Sequence, residues 1–173
     1  MDFETIKLSL MAFLKGHQII APLIVGLLAF GESLAIISIL IPATAILLGI
    51  GYLIAEGGLP FLPIWFGAAV GAYLGDSLSY TLGFYFKKKV FRLWPLYRFP
   101  QMIFKGRRFF RRYGLISVFI GRFFGPVRAV IPLIAGVFQM PWKIFQLSNL
   151  ISALIWSFML LAPGIGLHWL LQW

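Results

Sequence analysis

Four ionisable residues stand inside long apolar runs of this sequence: Glu32, Asp76, Arg122 and Arg128. A charge at membrane depth costs several kcal/mol unless it is paired or wetted, so each is a functional candidate by default. Arg122 and Arg128, six residues apart, suit an anion rich in oxygen, because a guanidinium is a planar fork that stays charged when buried. Glu32 and Asp76 suit the complementary tasks of neutralising an empty arginine or carrying a proton. Little else in the chain offers chemistry. It contains no cysteine, which excludes thiol catalysis, Cys-ligated metal centres and disulfides. His17 and His168 lie near opposite ends, in no triad or metal-ligand spacing, and His168 beside Trp169 reads as an interfacial residue. The expectation is no catalytic residue, no metal, no cofactor and no enzyme activity.

The elements that must position these four charges follow from composition. Of 173 residues, 61% are hydrophobic and 12% charged, about half the charge of a soluble domain. That excludes a soluble enzyme, a disordered chain and a secreted disulfide scaffold, and leaves an integral membrane protein. One membrane domain over 1–173 is expected. Residues 1–16 open on Asp2 and Glu4, unlike a signal peptide, and place Phe3, Ile6, Leu10, Phe13 and Leu14 opposite Lys7 and Lys15. This is the pattern of a short amphipathic helix lying in the interface.

Apolar blocks follow over 19–55, 59–86, 115–140 and 144–173. The second and fourth read as transmembrane helices. A helix over 19–55 would be roughly 55 Å long against a hydrocarbon core of ~30 Å. That block therefore folds back, as two spans or as a span plus a re-entrant hairpin, around Gly31 and Pro42. In the third block Gly121, Gly125, Pro126, Pro132 and Gly136 argue against an unbroken helix. Broken backbone at membrane depth is tolerated only where it is buried in protein or lines a wet cavity.

The connector over 87–113 carries ten of the fifteen basic residues and no acid, so it is expected on the cytoplasmic side. Arg107, Arg108, Arg111 and Arg112 interleave with aromatics. On a soluble protein that would suggest nucleic acid; tethered between membrane blocks, it reads as a surface for anionic headgroups, with no nucleic-acid partner. In the second block Gly67, Gly71, Gly75, Ser79 and Gly83 recur every fourth residue beside Asp76. Such a bare face admits another helix closely, within the chain or from a second copy in a homo-oligomer.

An offset of 90 residues superposes Gly31-Glu32 on Gly121-Arg122, and Pro42 and Ala45 on Pro132 and Ala135. Paired, interrupted hydrophobic segments of this kind occur in transporters built from inverted repeats, with the site between them. Glu32 would then face Arg122 or Arg128, and Asp76 the other; the bland alternative is a pair of structural ion pairs joining two hairpins.

The stretch from Gly121 to Met140, GRFFGPVRAVIPLIAGVFQM, with Phe145, Asn149 and Trp156 beyond it, resembles the arginine motif of the DedA family. This is the bacterial branch of the VTT-domain (SNARE-associated Golgi protein) membrane proteins. Gly75-Asp76 with Tyr80 and Gly83 resembles the family's glycine-aspartate segment, and FGESL at 30–34 its first acidic motif. The resemblance covers roughly residues 20–160. It implies an all-α polytopic protein of a bacterial inner membrane, with transmembrane helices and two re-entrant, Pro/Gly-broken hairpins meeting in the bilayer. It also implies a flippase or scramblase for a phosphate-headgroup lipid, such as undecaprenyl phosphate or phosphatidylethanolamine, in which two arginines and paired acids serve a proton-coupled site. One position departs from the pattern: Thr44 stands where many members carry a second acid, leaving Glu32 and Asp76 as the proton carriers. A proton-coupled exporter of small ions or drugs is the competing expectation, since the same buried charges would serve it.

Overall fold

The computed structural model describes residues 19–34, 43–57, 60–90, 100–123 and 128–171. Their regular structure is six helices: α1 (Ala21–Ser33), α2 (Ala43–Gly57), α3 (Phe61–Val90), α4 (Pro100–Gly121), α5 (Val130–Val137) and α6 (Trp142–Leu171). No strand occurs among the described residues. The helix expected over 1–16, and Pro42, Gly125 and Pro126, lie outside them.

Among the described residues, two helices are long and apolar enough to cross a bilayer. Phe61–Phe86 and Trp142–Pro163 run for 26 and 22 residues with mean hydropathy 1.2 and 1.8. The first block is instead two short helices. At 13 and 15 residues, α1 and α2 are each about 20 Å long, short of a ~30 Å core.

Among the described residues, α3 continues through Val90 and α4 runs unbroken from Pro100 past Arg112 to Gly121, so the end of the basic stretch and the start of the third apolar block share one helix. Pro132 and Gly136 lie inside α5. Pro132 sits in the first turn, where its missing N–H costs no helical bond, and Gly136 is needed for close approach to α3 rather than for a break.

The packing of α3 is inside-out relative to a water-soluble helix. Leu62, Phe66, Val70, Leu74, Leu78 and Leu82, one every fourth residue, are exposed, as lipid-facing side chains should be. The neighbouring row of glycines is covered. A Cβ on Gly67 would strike the backbone of Pro22, one on Gly71 that of Gly26, and one on Gly75 would lie 2.7 Å from the Phe30 carbonyl oxygen. The same contact is reciprocal, since a Cβ on Gly26 would sit 2.9 Å from the Gly67 carbonyl oxygen. Further along, Gly83 meets the backbone of Leu133, and Gly136 that of Tyr80. The small-residue face is thus occupied by α1 and α5 of the same chain. Gly71→Ala is expected to force α1 off α3 at a cost of about 1–3 kcal/mol. Gly49→Ala, where a Cβ would meet nothing within 4 Å, is expected to be silent; thermal aggregation in detergent reads both.

Each short helix lies on one half of a long one. α1 packs on the first half of α3, and α5 on its second half around Tyr80 and Gly83. α4 packs on the first half of α6, where Ser148 donates a hydrogen bond to the Leu115 carbonyl oxygen at 2.6 Å. α2 packs on the second half of α6, with Gly51 against the backbone of Leu161. The pairs α1–α2 and α4–α5 therefore each place one arm on α3 and one on α6, in opposite order. The two interruptions also fall in register with the 90-residue offset: Glu32 lies in the last turn of α1, and Arg122 immediately follows α4.

Candidate functional site

All four buried charges meet where these interruptions face the middle of α3 and α6. Two apolar clusters bracket the place. One is built from α1, α2 and the outer stretches of α3 and α6, including Val25, Ala29, Leu47, Ala68 and Ala72. The other joins Tyr80, Phe110, Val118, Ala135 and Phe145. Between Ala72 and Tyr80 on α3 lies Asp76; between Phe145 and Ala153 on α6 lie Asn149 and Ser152. The result is a polar layer enclosed by apolar packing on both sides.

The pairing left open by the sequence is resolved. Arg122 Nη2 lies 2.7 Å from Asp76 Oδ2, and both side chains are buried, at 6% and 7% exposure. Arg128 Nη2 pairs with Glu32 Oε1, also buried. Ion pairs shielded from water require further hydrogen bonds if they are not to cost more than they return. Arg122 has them. Its Nη1 donates to Asn149 Oδ1 at 3.0 Å, to the Asn149 carbonyl oxygen at 3.2 Å and to Ser152 Oγ at 2.8 Å. Asn149 in turn donates from Nδ2 to the Tyr73 carbonyl oxygen at 3.0 Å and to Ser77 Oγ at 3.3 Å, which ties α6 to α3 around the arginine. On the acid side, Ser79 Oγ donates to the Ser33 carbonyl oxygen at 3.2 Å.

Local backbone electrostatics treat the two halves differently. Arg122 follows the C-terminus of α4, where the partial negative charge of the helix end favours a cation. Glu32 occupies the last turn of α1, where that same field opposes it. The Arg128 cation offsets that field at Glu32. Trp156 on α6 lies against both arginines. The Arg128 guanidinium lies 4.3 Å from its ring centroid, and that of Arg122 lies 5.8 Å away.

Among the remaining sequence candidates, Gly31 and Gly121 flank the two charges at the helix ends, and Pro132 and Gly136 are buried in α5. Lys105, Arg108, Arg111 and Arg112 are exposed on α4, opposite the buried face of Phe110, Gly114, Val118 and Gly121. They stand apart from the polar layer, as does Tyr80, whose hydroxyl donates to the Met140 carbonyl oxygen beside the start of α6. The side chains of Arg107 and Thr44 are outside the described set.

Ser152 was not foreseen, and Asn149 and Trp156 were seen only as part of a motif, without a role. A signal existed: residues 149, 152 and 156 share one helix face by their spacing of three and four. An amide and a hydroxyl on that face mark a partner needing hydrogen bonds.

A sequence model of the VTT domain matches residues 41–166. An uncharacterised membrane protein of Buchnera aphidicola subsp. Schizaphis graminum is 36% identical over 143 residues, 83% of this chain and 57% of its own length. The inner membrane protein YabI of Escherichia coli K12 is 32% identical over 153 residues, covering 88% and 60%. An uncharacterised membrane protein of Mycobacterium tuberculosis H37Rv is 31% identical over 141 residues, covering 78% and 63%. The chain thus spans less than two thirds of the length of these relatives. No solved structure matches.

Proposed function

This chain belongs to the VTT-domain family of membrane proteins, in its DedA branch, and on that premise we propose that it moves a phosphate-headgroup lipid between the leaflets of a bacterial inner membrane. The observation that carries the proposal is the enclosed layer of two arginines and two carboxylates at the meeting point of two helix interruptions. An arginine at membrane depth offers a phosphate the in-plane, charge-assisted bonds it loses on leaving water. Glu32 and Asp76 occupy those bonds in the empty site, so the resting protein encloses no net charge. An arriving phosphate competes with a carboxylate for the same guanidinium. The displaced acid is then free to accept a proton, which would couple movement to a proton gradient.

The fold supports this reading through its two interrupted pairs. The opposite order in which α1–α2 and α4–α5 engage α3 and α6 is the order two inverted repeats would produce, with short arms entering as re-entrant hairpins. Such pairs rock against one another around a fixed site in transporters. The exposed bases of α4 face the cytoplasmic headgroups in this arrangement and gather anionic lipid near the entrance.

In proteoliposomes, wild-type protein is expected to move fluorescently labelled phosphatidylethanolamine between leaflets, and Arg128→Ala to lose most of that movement. Lipid flux is measured beside proton, small-ion and drug flux on the same preparation. Retention of lipid movement by the variant overturns the role of the arginine. Ion or drug flux without lipid movement replaces the proposal with an exporter.

A further inference from the structure

The two arginines are held in different ways, and the difference assigns them different tasks. Arg122 is fixed in position. It bonds Asp76, both oxygens of Asn149 and Ser152, and Asn149 is itself anchored on Tyr73 and Ser77. Exchanging a partner there would break a network joining α3, α6 and the end of α4. Arg128 is held by a carboxylate at its edge and an indole at its face. A guanidinium uses its plane for hydrogen bonding and its faces for stacking, so the two contacts are independent. A carboxylate at the edge and a ring on the face make up a holder in which the edge partner can change while the face stays seated.

Resting on the lipid-phosphate reading, the geometry points to Arg128 as the exchanging phosphate ligand, to Trp156 as the positioning residue on which it stays stacked during the exchange, and to Arg122 as a fixed anchor. Glu32 holds the place of the phosphate, since a carboxylate and a phosphate both accept paired in-plane N–H groups. Trp156 keeps the guanidinium from following either partner out of the site. It also supplies attraction that survives desolvation, because the ring quadrupole acts on the cation without needing water. Arg122 lies within reach of the same ring at 5.8 Å, so Trp156 fixes the spacing between the anchor and the exchanging arginine.

The experiment uses the full chain in vesicles of digalactosyl diacylglycerol, which carry no phosphate, doped with rising fractions of labelled phosphatidylethanolamine. Initial rates yield a half-saturating lipid fraction and a maximal rate. Trp156→Leu, which removes the ring, is expected to raise the half-saturating fraction about tenfold, a typical value for a desolvated cation–π contact. Trp156→Phe keeps a ring and is expected to restore most of that loss. Arg128→Lys, which keeps the charge but loses the planar fork for phosphate, is expected to raise the half-saturating fraction at least as far as Trp156→Leu. Ser152→Ala, which loosens the anchor, is expected to lower the thermal stability and to shift the half-saturating fraction far less than Trp156→Leu does.

A merely structural Trp156 would lower stability and maximal rate together without moving half-saturation, and would make Phe and Leu alike; either result overturns the inference. A shift of half-saturation by Ser152→Ala comparable to that of Trp156→Leu does so too, because it makes Arg122 the exchanging ligand. If Trp156→Leu fails to fold, Trp156→Phe and Arg128→Lys carry the same comparison. Wild-type protein that moves no lipid overturns the lipid reading, and this inference with it; wild-type movement with unmoved variants overturns this inference alone.

Discussion

Arg122→Ala is expected to leave little folded protein. The substitution strips Asp76 of its cation in a layer enclosed by apolar packing, and deprives Asn149 and Ser152 of a shared donor. Breaking one side of a buried pair typically costs about 3–5 kcal/mol, because the remaining charge has no water to turn to. A large fall in the melting temperature, read by fluorescence-detected size exclusion after heating in detergent, is the expected result. The double variant Asp76→Ala with Arg122→Ala is expected to recover a good part of that loss, since removing both partners leaves no stranded charge. It should not recover transport. A single Arg122→Ala protein as stable as wild type would mean that water reaches the layer freely.

The second large effect separates structure from function at the other pair. Exchanging the two residues, Glu32→Arg together with Arg128→Glu, keeps an ion pair between α1 and the approach to α5. It even places the cation in the last turn of α1, where the helix end favours it. Against this stands the loss of the Arg128–Trp156 contact, worth about 1–2 kcal/mol, so the swapped protein is expected to fold with near wild-type stability. Lipid movement is expected to fall by at least about tenfold, because a carboxylate then faces the incoming phosphate from the seat over Trp156. Full activity in the swapped protein would reduce Glu32 and Arg128 to a clasp between two hairpins.

How much of this was legible before folding varies by the kind of signal. The four charges were legible because their cost in an apolar run leaves few explanations. So was the glycine row of α3, since a bare face every fourth residue has one common use. The choice between Glu32–Arg128 and Glu32–Arg122 was not, because a sequence offset of 90 aligns positions without saying which element leans toward which. The boundary near residue 113 was misread for a different reason. Basic residues stop there because the surroundings change, but nothing between Arg112 and Gly121 interrupts the backbone, so α4 passes through. The third block is divided as its glycines and prolines imply, α4 ending at Gly121 and α5 starting at Val130, while Pro132 in a first turn and Gly136 against Tyr80 lie inside α5. Trp156 was the deepest omission. An aromatic near the middle of an apolar span looks like packing until its neighbours across the fold are known to be cations.

The order of the charges along the chain has a consequence for how the protein is made. Both acids, Glu32 and Asp76, precede both bases, Arg122 and Arg128. During synthesis from the N-terminus, α1, α2 and α3 therefore arrive in the membrane with two buried carboxylates and no cation to receive them. Each is costly there until the later segment follows. Completion of the fold is thus tied to delivery of a short stretch around Gly121–Ala129, after which α6 supplies Asn149, Ser152 and Trp156 and closes the layer. Until then Glu32 and Asp76 lack the arginines that pair them in the folded protein.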